Sequence, residues 1–459
     1  MARTCFGLPW IAAITAVVIG CALFAAAESG ARLPASTGRP VSMGTSVSMG
    51  RPSPSSVRIR ATASLPVANV DPPAAATAPA NANSPAAVGA AVLVDEITPE
   101  SEAALQRGLE WLAKNQGPNG NWDSNDLGLV GMGALAFMAA GHSPGRGKYG
   151  NTVKRAIDYM TSKARADGVL NQSDAQRDMY NHGLAAFVLG QAYGMTSGQD
   201  RKLNSVLDRA LKVIANTQCE DGGWDYRAHR QPVGHDLSLV VMQAKALRSA
   251  VDSGLEVPPE VIDQAIRSVR EHYSPHGGNR AAPEEEQQKI PGQFTYGKGG
   301  SGGTIAMAAA GVVCLQEFGQ YDDWRIEKNM ILIGEAIKKL PELKSGDGKA
   351  NRNGTMPFDA YSLYYVGQAL YQVGGTHWRD NYPRLRDYLV ASQKFDAANV
   401  AEHGSWMDHG AGGGGRVSGK PGQLYGTSVA CFILAIPNRY LPILQEGRIE
   451  SLKNKFGTR

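Results

Sequence analysis

The sequence has 459 residues and a net charge of only +4 at neutral pH. With 43% hydrophobic and 19% charged residues, it can bury a large core and needs no disulfide framework for its stability. The near balance of charge also argues against a basic face that binds nucleic acid.

Residues 1–27 have the pattern of an export signal. Arg3 gives the start a positive charge, an uncharged apolar run extends from Leu8 to Ala27, and the small residues 25–27 fit a cleavage site. Two alternatives stay open. The apolar run is long enough to remain as a membrane anchor, and residues 18–21, which end in Cys21, resemble a lipidation site. All three alternatives place the rest of the chain outside the cytoplasm, in the periplasm or secreted, and two of them attach it to the membrane.

Residues 28–97 are predicted to form a disordered linker rich in Ala, Pro and Ser. The segment contains nine prolines and no Phe, Trp or Tyr. Such a chain buries too little apolar surface to offset the conformational entropy that ordering would cost. The folded body is therefore expected at 98–459. Its three cysteines, Cys219, Cys314 and Cys431, lie far apart among apolar residues and are predicted to be buried free thiols.

The body shows two alternating kinds of helical segment. Amphipathic helices, with apolar residues at helical spacing, are predicted near 101–116, 151–164, 203–218, 260–273, 326–340 and 382–394. Apolar helices rich in small residues, expected to be buried on all sides, are predicted near 127–140, 180–193, 236–250, 304–318, 360–373 and 427–436. A repeat of two helices per unit follows, with strands a minor element at most.

Six helix pairs can stack as an open solenoid or close into a ring. An open solenoid usually needs polar capping repeats, and the last apolar segment, near 427–436, has no partner that follows it. Closure against the first pair would cover this segment. The predicted fold is therefore all-α, an α6/α6 toroid with the apolar helices inside.

The turns between helices carry a recurring motif. Its first copy is Arg107 to Leu112, then Gln116 and 120–122 (Gly-Asn-Trp); later copies run from 209 to Trp224 and from 388 to Trp406, and His276 begins a degraded fourth. This pattern resembles the QW motif of the prenyltransferase and squalene-cyclase (terpenoid cyclase) repeat superfamily over roughly 98–440. From chemistry alone, we expect the Gln to donate to carbonyls of its own helix, the Gly to turn the chain, and the Trp to pack over the joint.

The resemblance does not extend to the residues that give that superfamily its chemistry. The D-x-D-D run with which terpenoid cyclases protonate an alkene is absent. Of the Asp, Cys and His that hold zinc in protein prenyltransferases, only Asp359 is matched, because Tyr361 and Gly426 stand at the other two positions. One ligand of three cannot form a zinc site. We therefore predict no metal and no cofactor, and transfer neither activity.

Polar residues recur where the apolar helices are predicted to begin: Asp126, His182, Asp236, Thr304, Asp359 and Thr427. Asp and Thr at such positions are ordinary N-caps. The alternative is a ligand pocket at one end of the toroid. In that pocket Asp236, Asp359 and His182 are the candidate catalytic acid–base groups, and Tyr180, His235, Tyr361 and Tyr425 are the candidate binding residues.

The sequence leaves open whether the protein is an enzyme. The main expectation is an exported toroid that binds a peptide, a glycan or a lipid in its cavity or on its face. The alternative is a divergent enzyme, terpenoid cyclase-like or carbohydrate-active, that uses carboxylates at the mouth of the toroid.

Overall fold

The computed structural model describes residues 96–196, 200–300, 302–341, 354–395, 401–410 and 417–445, which lie in one compact unit. The predicted signal at 1–27 and nearly all of the predicted linker at 28–97 lie outside the described residues. Glu96 is an exception, because it is buried and its carboxylate accepts a hydrogen bond from Trp378 Nε1 at 2.7 Å. The contacts of the folded body thus begin before the predicted boundary at 98.

Twelve long helices in the described residues form six pairs. The outer helices are α1 (Pro99–Lys114), α3 (Gly150–Ser162), α5 (Arg201–Thr217), α7 (Pro259–Glu271), α9 (Arg325–Lys338) and α11 (Gly375–Ser392). The inner helices are α2 (Leu127–Ala139), α4 (Asp178–Met195), α6 (Leu237–Asp252), α8 (Ile305–Glu317), α10 (Ala360–Val373) and α12 (Gly419–Ala435). Each predicted helix exists, although α11 and α12 begin several residues earlier than expected.

The burial of the two sets follows from their sequences. Every residue of α2 is buried, whereas an outer helix such as α5 buries only one apolar stripe that includes Leu203, Leu207 and Ile214. Glycines let the inner helices approach closely: a Cβ on Gly183 would lie 2.7 Å from the Gln243 side chain. The thiols of Cys219, Cys314 and Cys431 are buried and free, as predicted.

The inner helices form a closed ring. Each packs against the next along the chain, and α12 packs back against α2 and α1. The last apolar segment is therefore covered by the first pair, and the predicted α6/α6 toroid is confirmed.

The first three motif copies act as clasps between outer helices, in a different way from the one expected. Gln116 Nε2 donates to Thr152 O of the next outer helix at 2.7 Å, and Gln218 Nε2 donates to Val261 O at 2.9 Å. The tryptophan instead donates to a backbone carbonyl of the helix that precedes the turn, since Trp224 Nε1 donates to Ile214 O at 2.9 Å. The expectation that Gln donates to carbonyls of its own helix is wrong, because its amide extends past that helix and donates to a carbonyl of the neighbouring outer helix.

The third clasp closes the ring. Gln393, just after α11, donates to Ala104 O of α1 and to Gly404 O, both at 2.9 Å. Gly404 has φ +92°, and a Cβ there would lie 2.7 Å from Arg107 O of α1. The last outer helix is thereby joined to the first.

The predicted fourth copy is not a clasp. His276 follows β1 (Tyr273–Pro275), which pairs antiparallel with β2 (Gly292–Phe294), and its backbone N–H donates to Pro291 O at 2.8 Å. This hairpin, with the one-turn helix Glu284–Gln287, takes up the longest interval between repeats. A Cβ on the adjacent Gly277 would meet no atom within 4 Å, so no neighbouring helix requires a glycine there.

One end of the toroid is covered by residues 436–445, which we call the plug segment. Leu441, Ile443 and Leu444 are buried. Ile443 N donates to Gln191 Oε1 of α4 at 3.1 Å, and Tyr371 OH of α10 donates to Leu444 O at 2.5 Å. Because the plug segment contacts helices on opposite sides of the ring, it closes the end at which the inner helices finish.

Candidate functional site

The inner helices all begin at the end opposite the plug segment, which we call the mouth. Four of them are capped there by a side chain, as predicted. The oxygens of Asp126, Asp236, Thr304 and Asp359 each accept a hydrogen bond from a backbone N–H of the first turn, at 2.9–3.2 Å. The capping role is therefore real, and any ligand-binding role is additional to it.

Two of the predicted mouth residues lie elsewhere. His182 is fully buried, with Nδ1 accepting from Leu170 N at 3.0 Å and Nε2 at 3.0 Å from Ala210 O of α5. Burial lowers the pKa of His182 to about 4, which keeps the ring neutral. His182 thus joins an inner to an outer helix and is not available as an acid–base group of the mouth.

Thr427 is likewise buried, in the interior of α12. Its hydroxyl accepts from Trp406 N at 3.0 Å and bonds to Trp406 O at 3.1 Å. It does not begin the helix, because α12 starts at Gly419. Thr427 therefore supports the tryptophan of the third clasp.

Tyrosines from across the ring converge at the mouth. The tyrosine cluster consists of Tyr180, Tyr296, Tyr361, Tyr365 and Tyr425. The rings of Tyr180 on α4 and Tyr361 on α10 are stacked with centroids 6.5 Å apart, although these helices lie on opposite sides of the toroid. Tyr365, one turn further along α10, meets Tyr361 edge-on at 5.1 Å. The candidate binding residues Tyr180 and Tyr361 are therefore brought together over the axis.

The cluster combines buried rings with a half-exposed upper surface. Tyr361 and Tyr365 are buried, whereas Tyr180, Tyr296 and Tyr425 are half-buried. Burial, with the neighbouring Tyr180, raises the pKa of Tyr361 and of Tyr425 well above the ordinary value. The hydroxyls consequently stay protonated and can donate hydrogen bonds.

A second polar group surrounds Asp236 at the start of α6. Tyr226 OH donates to Asp236 Oδ2 at 2.6 Å, His235 Nδ1 lies 3.5 Å from the same oxygen, and Ser238 donates to Oδ1. Burial alone would raise the pKa of Asp236, but the hydrogen bonds from His235, Ser238 and Tyr226 outweigh it, and the pKa is lowered. The mouth therefore holds an ionised carboxylate.

His235 is the exposed member of this group. Its ring meets Tyr226 edge-on at 4.5 Å. The hydrogen bond with Asp236 raises the pKa of His235, so its imidazolium persists to higher pH than usual. An ionised carboxylate thus stands beside an exposed imidazole whose protonated form it favours.

Asp359 caps α10 next to the tyrosine cluster. Its second oxygen accepts from Ser362 Oγ at 2.7 Å, and its charge is among those felt by Tyr425. Tyr296 connects the two carboxylate regions, because its carbonyl accepts from Leu237 N at the start of α6 while its ring neighbours Tyr361. Asp236, Asp359 and the tyrosines thus share one face.

Sequence reasoning missed Tyr226, Tyr296 and Tyr365. Tyr365 could have been found, because it follows Tyr361 by four residues and so lies on the same side of α10. Tyr226 and Tyr296 lie in turns before inner helices, where no periodicity identifies a residue that faces the mouth.

The described part of the chain contains no group of three His, Cys, Asp or Glu side chains placed to hold a metal ion. Among the helices that the structure describes, none has both the length and the apolar composition needed to span a bilayer.

The sequence matches no family model and no curated protein. The solved structures similar to the chain include two inactive variants of the α-1,6-mannanase GH76A of Salegentibacter sp. HEL1_6. The complex with α-1,6-mannotriose has a TM-score of 0.46 at 11% identity, covering 73% of this chain and 99% of that one. The complex with α-1,6-mannotetrose has a TM-score of 0.49 at 10% identity, covering 74% and 100%.

Proposed function

We propose that the protein is a glycan-binding toroid, and that the mouth binds one or more sugar units. The observation that carries this proposal is the convergence of tyrosine rings and carboxylates on the open end of the ring, opposite the plug segment. Because residues 1–27 are predicted to be an export leader, we also propose that the protein acts outside the cytoplasm.

The chemistry of the mouth suits a sugar. A pyranose presents an apolar C–H face, which packs on an aromatic ring, and hydroxyls, which need donors and acceptors. Tyr180 and Tyr425 offer half-buried rings and their hydroxyls, and Asp236 and Asp359 offer acceptor oxygens. Of the expected ligand classes, a lipid would place apolar surface against these carboxylates, which disfavours it.

A glycoside hydrolase is the second candidate, and the specific observation in its favour is the pair of carboxylates at the mouth. Glycosidases use one carboxyl group as the acid and another as the base or nucleophile. The lowered pKa of Asp236 suits a base or nucleophile and not an acid. Asp359 would therefore have to be the acid. The resemblance of the clasps to those of terpenoid cyclases concerns the joints between helices and supports neither activity.

Titration calorimetry with α-1,6-mannotriose, with cellotriose as a second probe and a glycan array for breadth, tests the proposal. Replacing Tyr180 or Tyr425 by Ala removes a ring and is expected to weaken binding at least tenfold, consistent with about 1.4 kcal/mol per tenfold. Tyr425→Phe keeps the ring and should lose less binding affinity than Tyr425→Ala. The control is Tyr440→Ala, because Tyr440 is 53% exposed on the plug segment, away from the mouth.

Binding that weakens equally in Tyr440→Ala, or no binding of wild-type protein anywhere on the array, would contradict the glycan proposal. Hydrolysis is measured separately, as reducing ends released from any glycan that binds. Turnover that disappears in Asp236→Asn and in Asp359→Asn, while binding persists, would establish the enzyme. Binding without turnover would establish the non-catalytic module.

A further inference from the structure

One member of the tyrosine cluster, Tyr296, stands on a loop, whereas the other four stand on the inner helices α4, α10 and α12. We call residues 295–300 the tyrosine loop. Half of its residues are glycines, at 297, 299 and 300. A Cβ on Gly299 would meet no atom within 4 Å, so the chain is not held by packing at that point. Contacts made by the other residues must therefore fix the ring of Tyr296.

The main chain of the tyrosine loop is held at its beginning. Thr295 donates through its N–H and its Oγ1 to His272 O, at 3.0 and 2.9 Å. The carbonyl of Tyr296 accepts from Leu237 N, at the start of α6, at 3.1 Å. These bonds attach the first two residues of the loop to the ring of helices.

Lys298 attaches the loop on the other side of Tyr296. Its Nζ donates to Asp221 Oδ2 and to Glu271 Oε2, both at 2.7 Å. The two acceptors differ in exposure, since the side chain of Asp221 is 17% exposed and that of Glu271 is 56% exposed. An ion pair in contact with solvent contributes little, because water screens it. The bond to Asp221 is therefore the one expected to hold the loop.

Asp221 is a rigid anchor for this lysine. Its Oδ1 accepts from Gly223 N at 3.0 Å and from Gly234 N at 2.9 Å. Burial alone would raise the pKa of Asp221, but the hydrogen bonds from Lys298 and from these two amides outweigh it, and the pKa is lowered. Because Gly234 precedes Asp236 by two residues, the same carboxylate connects the tyrosine loop to the segment that leads to Asp236.

We propose that Lys298 is a positioning residue of the mouth, which holds Tyr296 in the tyrosine cluster through its ion pair with Asp221. The lysine acts on the ring and not on the ligand. The consequence for binding rests on the proposed glycan function: a ring that is already in place need not be ordered when a sugar binds. Freeing the loop would add the entropic cost of immobilising that side chain.

Hydrogen–deuterium exchange of the protein without ligand tests the positioning directly. The amides of Tyr296 and Leu237 report on the loop, because the second of them donates to the carbonyl of the first. We expect both amides to exchange about tenfold faster in Lys298→Met, which keeps the apolar stem, and in Asp221→Asn, which keeps an acceptor oxygen. Lys298→Arg keeps the cation and should stay near wild type. The matched control is Glu271→Gln, since Glu271 lies at the same distance from Nζ but is exposed.

Titration calorimetry with α-1,6-mannotriose tests the consequence for binding. Lys298→Met is expected to weaken binding by about two- to tenfold, the range that corresponds to ordering one further side chain. In a Tyr296→Ala background the same substitution should cause no further loss, because the ring on which it acts is gone. A lysine that only stabilised the fold, or that touched the sugar itself, would weaken binding equally in both backgrounds.

Unchanged exchange at Tyr296 and Leu237 in Lys298→Met and Asp221→Asn would overturn the proposal. Equal acceleration in Glu271→Gln would also overturn it, because the loop would then not be held through Asp221. The same holds for a loss of affinity that is independent of Tyr296. If the wild-type protein binds no sugar, the glycan function fails, and the exchange measurement, which needs no ligand, still decides whether Lys298 positions the ring.

Discussion

Replacing Gln393 by leucine tests whether the ring is closed in solution. The side chain is buried and makes three bonds at 2.9 Å: Nε2 donates to Ala104 O and Gly404 O, and Oε1 accepts from Arg107 Nε. Leucine preserves most of the volume but removes all three bonds. At about 0.5–1.5 kcal/mol for each neutral hydrogen bond and about 1.5–3 kcal/mol for the one from the guanidinium, and allowing for incomplete additivity, we expect the free energy of unfolding to fall by about 2–4 kcal/mol.

Urea unfolding followed by far-ultraviolet circular dichroism measures this loss, and Gln218→Leu provides the comparison. Gln218 makes the corresponding bonds to Gly222 O and Val261 O, at 3.1 and 2.9 Å, within a continuous stretch of chain. The loss of unfolding free energy in Gln218→Leu therefore does not depend on ring closure. If Gln393→Leu costs less than about 0.5 kcal/mol while Gln218→Leu costs its full amount, the first and last outer helices are not joined, and the closed toroid is refuted.

Three further predictions concern the core. The pKa of His182 is about 4 in the folded protein and 6.5 in the unfolded chain. The folded state therefore keeps its full stability above pH 6.5 and loses up to about 3 kcal/mol as the pH falls toward 4. The free energy of unfolding, measured across that range, should depend less on pH in His182→Gln. Lys245→Met removes the cation 3.2 Å from the buried Glu317 carboxylate and should lower the free energy of unfolding, measured in urea, by about 3–5 kcal/mol, whereas an unchanged midpoint would contradict the buried ion pair. Gly222→Ala should lower the melting temperature far more than Gly254→Ala, because both have φ near +80° but only at Gly222 would a Cβ lie 2.1 Å from a backbone oxygen.

The helical layout could be predicted because each helix carries its own signal. The uncharged run of α2 and the single apolar stripe of α5 identify inner and outer helices from composition and period alone. The boundaries of α11 and α12 were less accessible. Pro383 lies inside α11, and Gly419 and Gly422 lie in the first turn of α12, so residues that usually mark ends stand within helices.

The site was only partly predictable, because its members come from distant parts of the chain. The positions of Tyr180 and Tyr361 near helix starts make them candidates, but nothing in their spacing shows that their rings meet across the axis. His182 was misassigned for a related reason. Its position at the start of an inner helix is clear from sequence, whereas the direction of its ring toward Ala210 depends on the neighbouring outer helix.

The position of Glu96 has a practical consequence. Its carboxylate binds Trp378 at the beginning of α11 and lies 3.4 Å from Arg439 of the plug segment, so the chain enters the toroid on the closed side. A tag or immobilisation handle fused directly before Glu96 would be attached at the closed side of the ring. On a sensor surface, protein tethered in this way would present its tyrosines and carboxylates to the flowing analyte, whereas coupling through mouth side chains would bury the surface being assayed.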